Sequence, residues 1–290
     1  VGLLKGDRAG LSGIEIAEKT GINRMTITKY LNILLTLGLV SKKKAGPVNI
    51  WYLESGIIDL EFPFNSLEVQ QNFITAIFEN DYEKSQRIIL SALNSTLDKI
   101  RILIDIVLPT FNTMNELYNR GRIGDTERIS HLTILLEIVD LIKFNSQLET
   151  TRHNAHVISV ASSEDKIFLA KVGALALRIL GWNSSYLGNV ERHIDPFFDM
   201  DFQRFLGKIW NEKKGLIVVC IFSSQESSLR FLSIAANTLK KKLKGELFVV
   251  LLTSLELTDK SEHIGADVAF IDLESLINWC EKKFRSYTGQ

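Results

Sequence analysis

Arg24, Thr28 and Asn32 recur at four-residue steps in this 290-residue chain, with Asn23 just ahead of them and Thr26 and Lys29 to either side. On a helix that spacing puts the first three on one face. Guanidinium, ammonium, amide and hydroxyl groups so grouped can bond phosphates and base edges. Further on, Lys42, Lys43 and Lys44 stand together, three point charges suited to phosphate. Between Val1 and Glu54 there are eight basic residues and four acidic ones, a net +4. The whole chain is neutral, so the remainder carries −4. A basic head on a mildly acidic body points to double-stranded DNA as a partner.

The elements that would position these groups are short. Ser12–Thr20 reads as a helix capped by Ser12, with Ile14, Ile16 and Ala17 as its apolar positions, and Gly21 permits a tight turn. Asn23 can cap a second helix, whose stripe Ile27, Leu31, Leu34 and Leu35 faces inward. Gly38 stands where a helix stop is expected. A hairpin follows, with strands Val40–Lys44 and Val48–Leu53 around Ala45-Gly46-Pro47. The stretch from Ile14 to Asn23, the helix Arg24–Leu37, and Gly38-Leu39-Val40 leading into the basic hairpin resemble the winged helix-turn-helix family. The likeness covers about 50 residues. It implies a recognition helix bearing Asn23, Arg24, Thr26, Thr28, Lys29 and Asn32, and a wing bearing Lys42, Lys43 and Lys44.

A second set of candidates lies in the C-terminal half. Strand-like runs at His156–Val160, Asn183–Leu187, Leu216–Phe222, Leu247–Leu252 and Val268–Ile271 alternate with helical runs at Lys166–Leu180, Phe202–Trp210, Ser227–Lys242 and Leu273–Phe284. That order predicts a parallel sheet covered on both faces, with the very apolar Leu216–Phe222 at its centre. Ligands of such sheets bind beyond the carboxyl ends of the strands. That places the candidate site near Ala161–Asp165, Leu187–Asn189, Ser223–Gln225 and Thr253–Ser254, with Glu164, Lys166, Ser223, Ser224, Thr253 and Ser254 as the candidate ligand contacts there and His131 of the helical region as a seventh. Between head and sheet, Gln70–Phe144 predicts about four helices, with broad apolar stripes at Ile88–Val107, interrupted by Pro109, and at Leu132–Ile142. His131 precedes the second stripe; the ordinary role of a lone histidine there is structural, as it is for His153 and His156.

Joined together, the helices and the sheet resemble the cobalamin-binding module of corrinoid proteins and of cobalamin-dependent light-sensing repressors. The likeness rests on Tyr118-Asn119-Arg120-Gly121-Arg122-Ile123, on Val172–Leu187 with Leu180-Gly181-Trp182, on Leu216–Ser224 and on Gly265-Ala266-Asp267. It covers about 210 residues and implies a helical cap followed by a flavodoxin-like domain. The family's cobalt-ligand loop reads Asp-x-His-x-x-Gly. The matching stretch is Glu164-Asp165-Lys166-Ile167-Phe168-Leu169, so Lys166 replaces the histidine and Leu169 the glycine that lets the cofactor tail pass. A protonated amine has no lone pair for a metal. Thr253-Ser254 replaces the family's paired glycines. Arg128 and Ile129 align with the Glu-His pair that faces the cofactor in the light-sensing repressors, with His131 displaced by two. The expectation is that the fold carries over and that no cofactor and no metal is bound.

Hydrophobic residues are 46% and charged ones 23% of the chain, an ordinary globular balance. The two cysteines, Cys220 and Cys280, offer neither a disulfide framework nor a zinc spacing, which favours a reducing cytoplasm. The apolar runs are too short to span a bilayer. With no nucleophile elbow, phosphate-cradling glycine loop or metal-spaced cluster, the chain is expected not to be an enzyme. The sequence thus predicts a multidomain α and α/β protein: a winged helix-turn-helix at 1–60, a helical bundle at 66–150 and a flavodoxin-like doubly wound sheet at 154–290. Its expected function is that of a homodimeric transcription regulator whose C-terminal module senses a small ligand or holds the dimer. A corrinoid-binding methyltransferase-type protein and an interaction protein that does not bind DNA are the alternatives.

Overall fold

The computed structural model describes residues 4, 10–36, 40–46, 48–53, 66–95, 97–146, 152, 154–194, 196–209, 215–240 and 246–289. Gly38, Pro47, His153, Trp210 and the joins expected near residues 61–65 and 150 lie outside them. The chain divides into two compact units, Val1–Asn145 and Ser146–Gln290.

The first unit begins with strand β1 (Leu11–Ser12), helices α1 (Gly13–Thr20) and α2 (Arg24–Thr36), and strands β2 (Val40–Ala45) and β3 (Val48–Leu53). Ser12 starts α1 through a reciprocal cap. Its hydroxyl accepts from the Glu15 amide at 3.2 Å, while the Glu15 carboxylate accepts from the Ser12 amide at 2.7 Å. The Ser12 backbone and hydroxyl hold the Glu15 carboxyl below its usual range, with a smaller contribution from Lys19. Gly21, at φ +68°, ends the helix in the left-handed conformation that glycine adopts without strain. The three strands pair antiparallel in the order β1-β3-β2, and Ala45 opposite Val48 closes the hairpin. Leu11, Ile16, Ile27, Leu31, Val40 and Trp51 form the core of this module. Ile14 is not part of it; it faces solvent, because the buried face of so short a helix is taken by Ile16.

The described residues that follow in this unit form helices: α3 (Ser66–Phe78), α4 (Tyr82–Leu93), a rod α5 over residues 99–119, and α6 (Asp125–Asn145). Pro109 does not break α5. The rod runs from Lys99–Arg101 through a π-helical stretch, Ile102–Val107, into Leu108–Asn119. There the Leu108 amide bonds to the Leu103 carbonyl, five residues back. This wider turn absorbs a residue that has no amide hydrogen to give and whose ring crowds the preceding turn.

The second unit has five parallel strands in the order β5-β4-β6-β7-β8. They are β4 (Ala155–Ala161), β5 (Asn183–Asn189), β6 (Leu216–Phe222), β7 (Glu246–Leu252) and β8 (Val268–Phe270). All seven residues of β6 are buried, as its central place requires. Helices α7 (Ile167–Ile179), α8 (Pro196–Ile209), α9 (Glu226–Lys240), the short α10 (Leu255–Thr258) and α11 (Ser261–Ile264), and α12 (Leu273–Thr288) cover it. Ile158, Val160, Ile217, Val219, Ile221 and Val249 share a core with Leu206 of α8 and Leu232 and Ala236 of α9. α7 and α12 pack on each other and on the strands from the opposite face. Cys220 of β6 and Cys280 of α12 are both buried and unbridged. The hydrogen bond to Cys220, followed by burial, pushes the Cys280 thiol well above its usual value.

Candidate functional site

In a parallel sheet every strand ends on the same side, so the loops after β4, β6 and β7 meet along one rim. Glu164 and Lys166 stand in the short turn Glu164–Lys166 that joins β4 to α7. Ser223 and Ser224 follow β6, and Thr253 and Ser254 follow β7. The structure therefore brings six of the seven expected ligand contacts to this rim.

The rim is dense in hydroxyls. Ser162, Ser163, Ser223 and Thr253 are all buried. The Ser224 amide donates to Ser163 Oγ at 3.1 Å, and Ser224 Oγ donates to the Asp165 carboxylate at 2.9 Å. Ser223 Oγ reaches the Ser162 carbonyl at 3.4 Å and accepts from the Gln225 amide at 3.1 Å. Gln225 also donates to Glu191 in the turn after β5, at 2.7 Å. Two hydroxyls are left over: Ser162 Oγ and Thr253 Oγ1 are buried without a partner. A buried polar group in that condition marks a place for a water or a ligand group. Ser162 and Ser163 lie within the stretch Ala161–Asp165 expected at the site but were not among the expected contacts; the available signal was a hydroxyl pair directly after an apolar strand.

Lys166 ends the turn with its side chain 17% exposed, and Asp165 is 3.8 Å away. Ser254 serves as the N-cap residue of α10, and its carbonyl accepts from Leu257 and Thr258. Behind the rim, the layer between α7, β6 and α12 is closed. A Cβ placed on Gly173 would lie 3.0 Å from Leu273 Cδ1 and 3.1 Å from Phe222 Cζ. Phe222 is itself fully buried.

His131 belongs to the first unit. It is 2% exposed on α6, edge-on to Phe78 at 4.9 Å between ring centres. Burial lowers its pKa below the usual value, outweighing the opposing effects of Glu127 and of the Phe78 backbone. Arg128 lies over the Tyr118 ring at 4.6 Å, and the Tyr118 hydroxyl donates to Asp125 at 2.7 Å. Ile129 is exposed.

At the head, Asn23, Arg24, Thr26, Thr28, Lys29 and Asn32 are exposed on α2 or its cap, as are Lys42, Lys43 and Lys44 on β2. Asn23 Oδ1 accepts from the Met25 amide at 2.8 Å. Thr28 Oγ1 donates to the Arg24 carbonyl at 2.9 Å, which leaves its lone pairs available. Lys42 lies 5.8 Å above the Trp51 ring, so it is less free than Lys43 and Lys44. Met25 and Tyr30 are also exposed on this helix, at 82% and 58%.

No protein-family model matches the sequence, and no curated protein does. Solved structures do. The chain is similar to the monomethylamine corrinoid protein of Methanosarcina barkeri, with a TM-score of 0.59 and 11% identity, over 76% of this chain and 100% of that one. It also matches the methanol:cobalamin methyltransferase complex of the same organism, at TM-score 0.40 and 15% identity, over 93% of this chain and 92% of that one. A cobalamin-binding protein from Desulfitobacterium hafniense matches at TM-score 0.41 and 12% identity, over 73% and 97%. The first of these supports a helical segment followed by a flavodoxin-like sheet. The expectation that no cofactor is bound does not stand: the solved structure that shares this fold is a corrinoid protein. Among the described residues no helix is long and apolar enough to cross a membrane.

Proposed function

We propose that the C-terminal unit binds a corrinoid at the carboxyl rim of its sheet, without a protein imidazole on the metal. The observation that carries this reading is the pair of buried, unpartnered hydroxyls, Ser162 Oγ and Thr253 Oγ1, on a rim of the fold shared with a corrinoid protein. The residues fit one way of holding the group and not another. A ligand histidine with a tail threaded into the domain does not fit. Lys166 occupies the ligand position, and Gly173, Phe222 and Leu273 leave no room in the layer behind it. A ring lying over the rim fits, with the exposed Ser224 and Ser254 at its edge and the unpartnered hydroxyls of Ser162 and Thr253 directly beneath. Bound there, a corrinoid would supply a cobalt centre able to exchange ligands, and the residues of this chain would hold and orient it.

The protein is incubated with methylcobalamin, desalted and examined by absorption. One corrinoid per chain is expected, and Ser162→Ala with Thr253→Val should reduce retention while Lys166→Ala leaves the cobalt spectrum unchanged. A colourless protein after desalting would overturn the reading.

A second reading concerns the head, and the exposed basic residues on α2 and β2 favour it. We infer that α2 enters the major groove of duplex DNA while the Lys42–Lys44 hairpin rests on phosphates, making the chain a corrinoid-linked transcription regulator. Alanine at the three lysines should weaken binding to all sequences. It should also reduce the slope of log affinity against log salt by about two, since each phosphate contact contributes roughly 0.9 and Lys42 is partly engaged with Trp51. An unchanged slope would remove the hairpin from the interface.

A further inference from the structure

At the amino ends of β4 and β5, away from the rim, the second unit holds a half-open cavity of about 320 Å³. His156, Arg178, Trp182, Asn183, Ser185 and Ile209 line it. Five elements supply them: β4, α7, the turn before β5, β5 and α8. His156 and Asn183 are neighbours in the β4–β5 ladder and so share one face of the sheet. Arg178 comes from the last turn of α7, and Ile209 from the end of α8.

The chemistry of the lining is one-sided. Arg178 pairs with no carboxylate among the described residues, and the lining residues include no Asp or Glu. The carboxylate that reaches this region, Glu281, is already bonded to Trp182 Nε1 at 2.7 Å and to both terminal nitrogens of Arg152 at 2.7 and 3.1 Å. Its charge is already matched by the Arg152 guanidinium. Ser184 spends its hydroxyl on the Ala174 carbonyl, at 2.7 Å, whereas Ser185 Oγ has no hydrogen bond among the described residues. Trp182, 2% exposed, and Ile209 give the cavity an apolar wall. An arginine in the last turn of a helix complements the helix dipole wherever it points. That role needs neither a cavity nor a free hydroxyl beside it. A guanidinium presents a planar fork of donors that matches carboxylate and phosphate oxygens. The volume lies at the small end of ligand pockets, which suits a metabolite and not a macromolecule.

We propose that this cavity binds a small metabolite bearing a carboxylate or phosphate group, with the anion on Arg178 and Ser185 and the body of the molecule against Trp182 and Ile209. The site is separate from the carboxyl rim, so it does not depend on the corrinoid reading.

The full chain is titrated by calorimetry with inorganic phosphate and, separately, with benzoate, whose ring can meet Trp182. One saturable site per chain is expected for at least one of them, with Kd at or below about 1 mM. Saturation by phosphate alone identifies a phosphate ligand, and saturation by benzoate alone a carboxylate. Arg178→Met should weaken binding roughly tenfold to hundredfold, the usual effect of losing a charge-assisted hydrogen bond at a part-buried site. Arg178→Lys should lose less, because the charge stays and the fork goes. Ser185→Ala should weaken binding several-fold, and it remains informative if Arg178→Met fails to fold. Equal affinity in the wild type and in these variants, or no saturable binding of either anion, would overturn the proposal.

Discussion

Replacing Glu281 by alanine removes the acceptor for three hydrogen bonds at once. Two come from Arg152 and one from Trp182 Nε1, and they tie the chain just before β4 and the turn before β5 to α12. The Glu281 side chain is 16% exposed and that of Arg152 25%, so both are sheltered but not sealed. Breaking a buried ion pair by deleting one partner costs about 3–5 kcal/mol. Arg152 can recover some water through its exposed quarter, and its guanidinium keeps its stacking on Phe284 at 4.2 Å, which lowers that share to about 2 kcal/mol. The Trp182 N–H, in a residue that is 2% exposed, is then left without a partner, adding about 1–2 kcal/mol. A loss of about 3–4 kcal/mol corresponds to a fall in Tm of roughly 6–16 °C for a unit of this size. Glu281→Gln keeps an acceptor for Trp182 and should lose about half as much. Differential scanning calorimetry on the full chain is the assay, with Arg152→Ala and the double variant closing a cycle. A shift of less than about 2 °C for Glu281→Ala, or additive effects of the two single variants, would refute the assigned network.

Burial holds His131 below its usual pKa, so unfolding lets the imidazole take up a proton that the folded helices exclude. The stability of the first unit should be full above about pH 6.5 and decline as pH falls below it, by at most about 1.4 kcal/mol per pH unit. His131→Leu should flatten that decline in urea titrations between these conditions. Gly215 has φ +103°, and a Cβ there would sit within 2.4 Å of the Asn154 carbonyl oxygen, so Gly215→Ala should destabilise the second unit by at least about 2 kcal/mol, read from its urea midpoint. Thr253→Val swaps a buried hydroxyl without a partner for a methyl group of the same shape, so the ligand-free protein should hold or gain up to about 1 kcal/mol while corrinoid retention falls.

The sheet was legible because its strands announce themselves. Leu216–Phe222 is apolar throughout, and only a central strand covered on both faces needs that. Both helices of the head were legible from Ser12, Gly21 and Asn23, whose caps are local events within three or four residues. The continuity of α5 was not, because Pro109 reads as a stop unless the preceding turn widens, and a π-turn has no residue signature of its own. Glu164, Lys166, Ser223, Ser224, Thr253 and Ser254 could be placed on one rim because the topology forces strand ends together. Which hydroxyls would be left unpartnered could not, since that depends on distances between loops some 60 residues apart. The Arg178 cavity was invisible for the same reason, being assembled from β4, α7, the turn before β5, β5 and α8.

The departures from the cobalamin-binding pattern also fall where the fold can tolerate them. The ladder from β4 to β8 is maintained by backbone pairing and by the core on its two faces, neither of which involves the side chains at 166, 253 or 254. Those positions can therefore change their chemistry while the architecture stays. Gly173 is different, because it faces inward. With Phe222 and Leu273 already at 3.1 and 3.0 Å from where its Cβ would be, the interior is packed as a solid core. Opening it would require shrinking Phe222 or Leu273, and each such change costs about 2–5 kcal/mol in a packed site. A ligand has no source for that energy before it binds, whereas the rim already presents two hydroxyls whose burial cost has been met by the fold. Binding at the rim uses that stored polarity, and this is why the hydroxyls, not the lysine that replaces the histidine, are expected to govern retention.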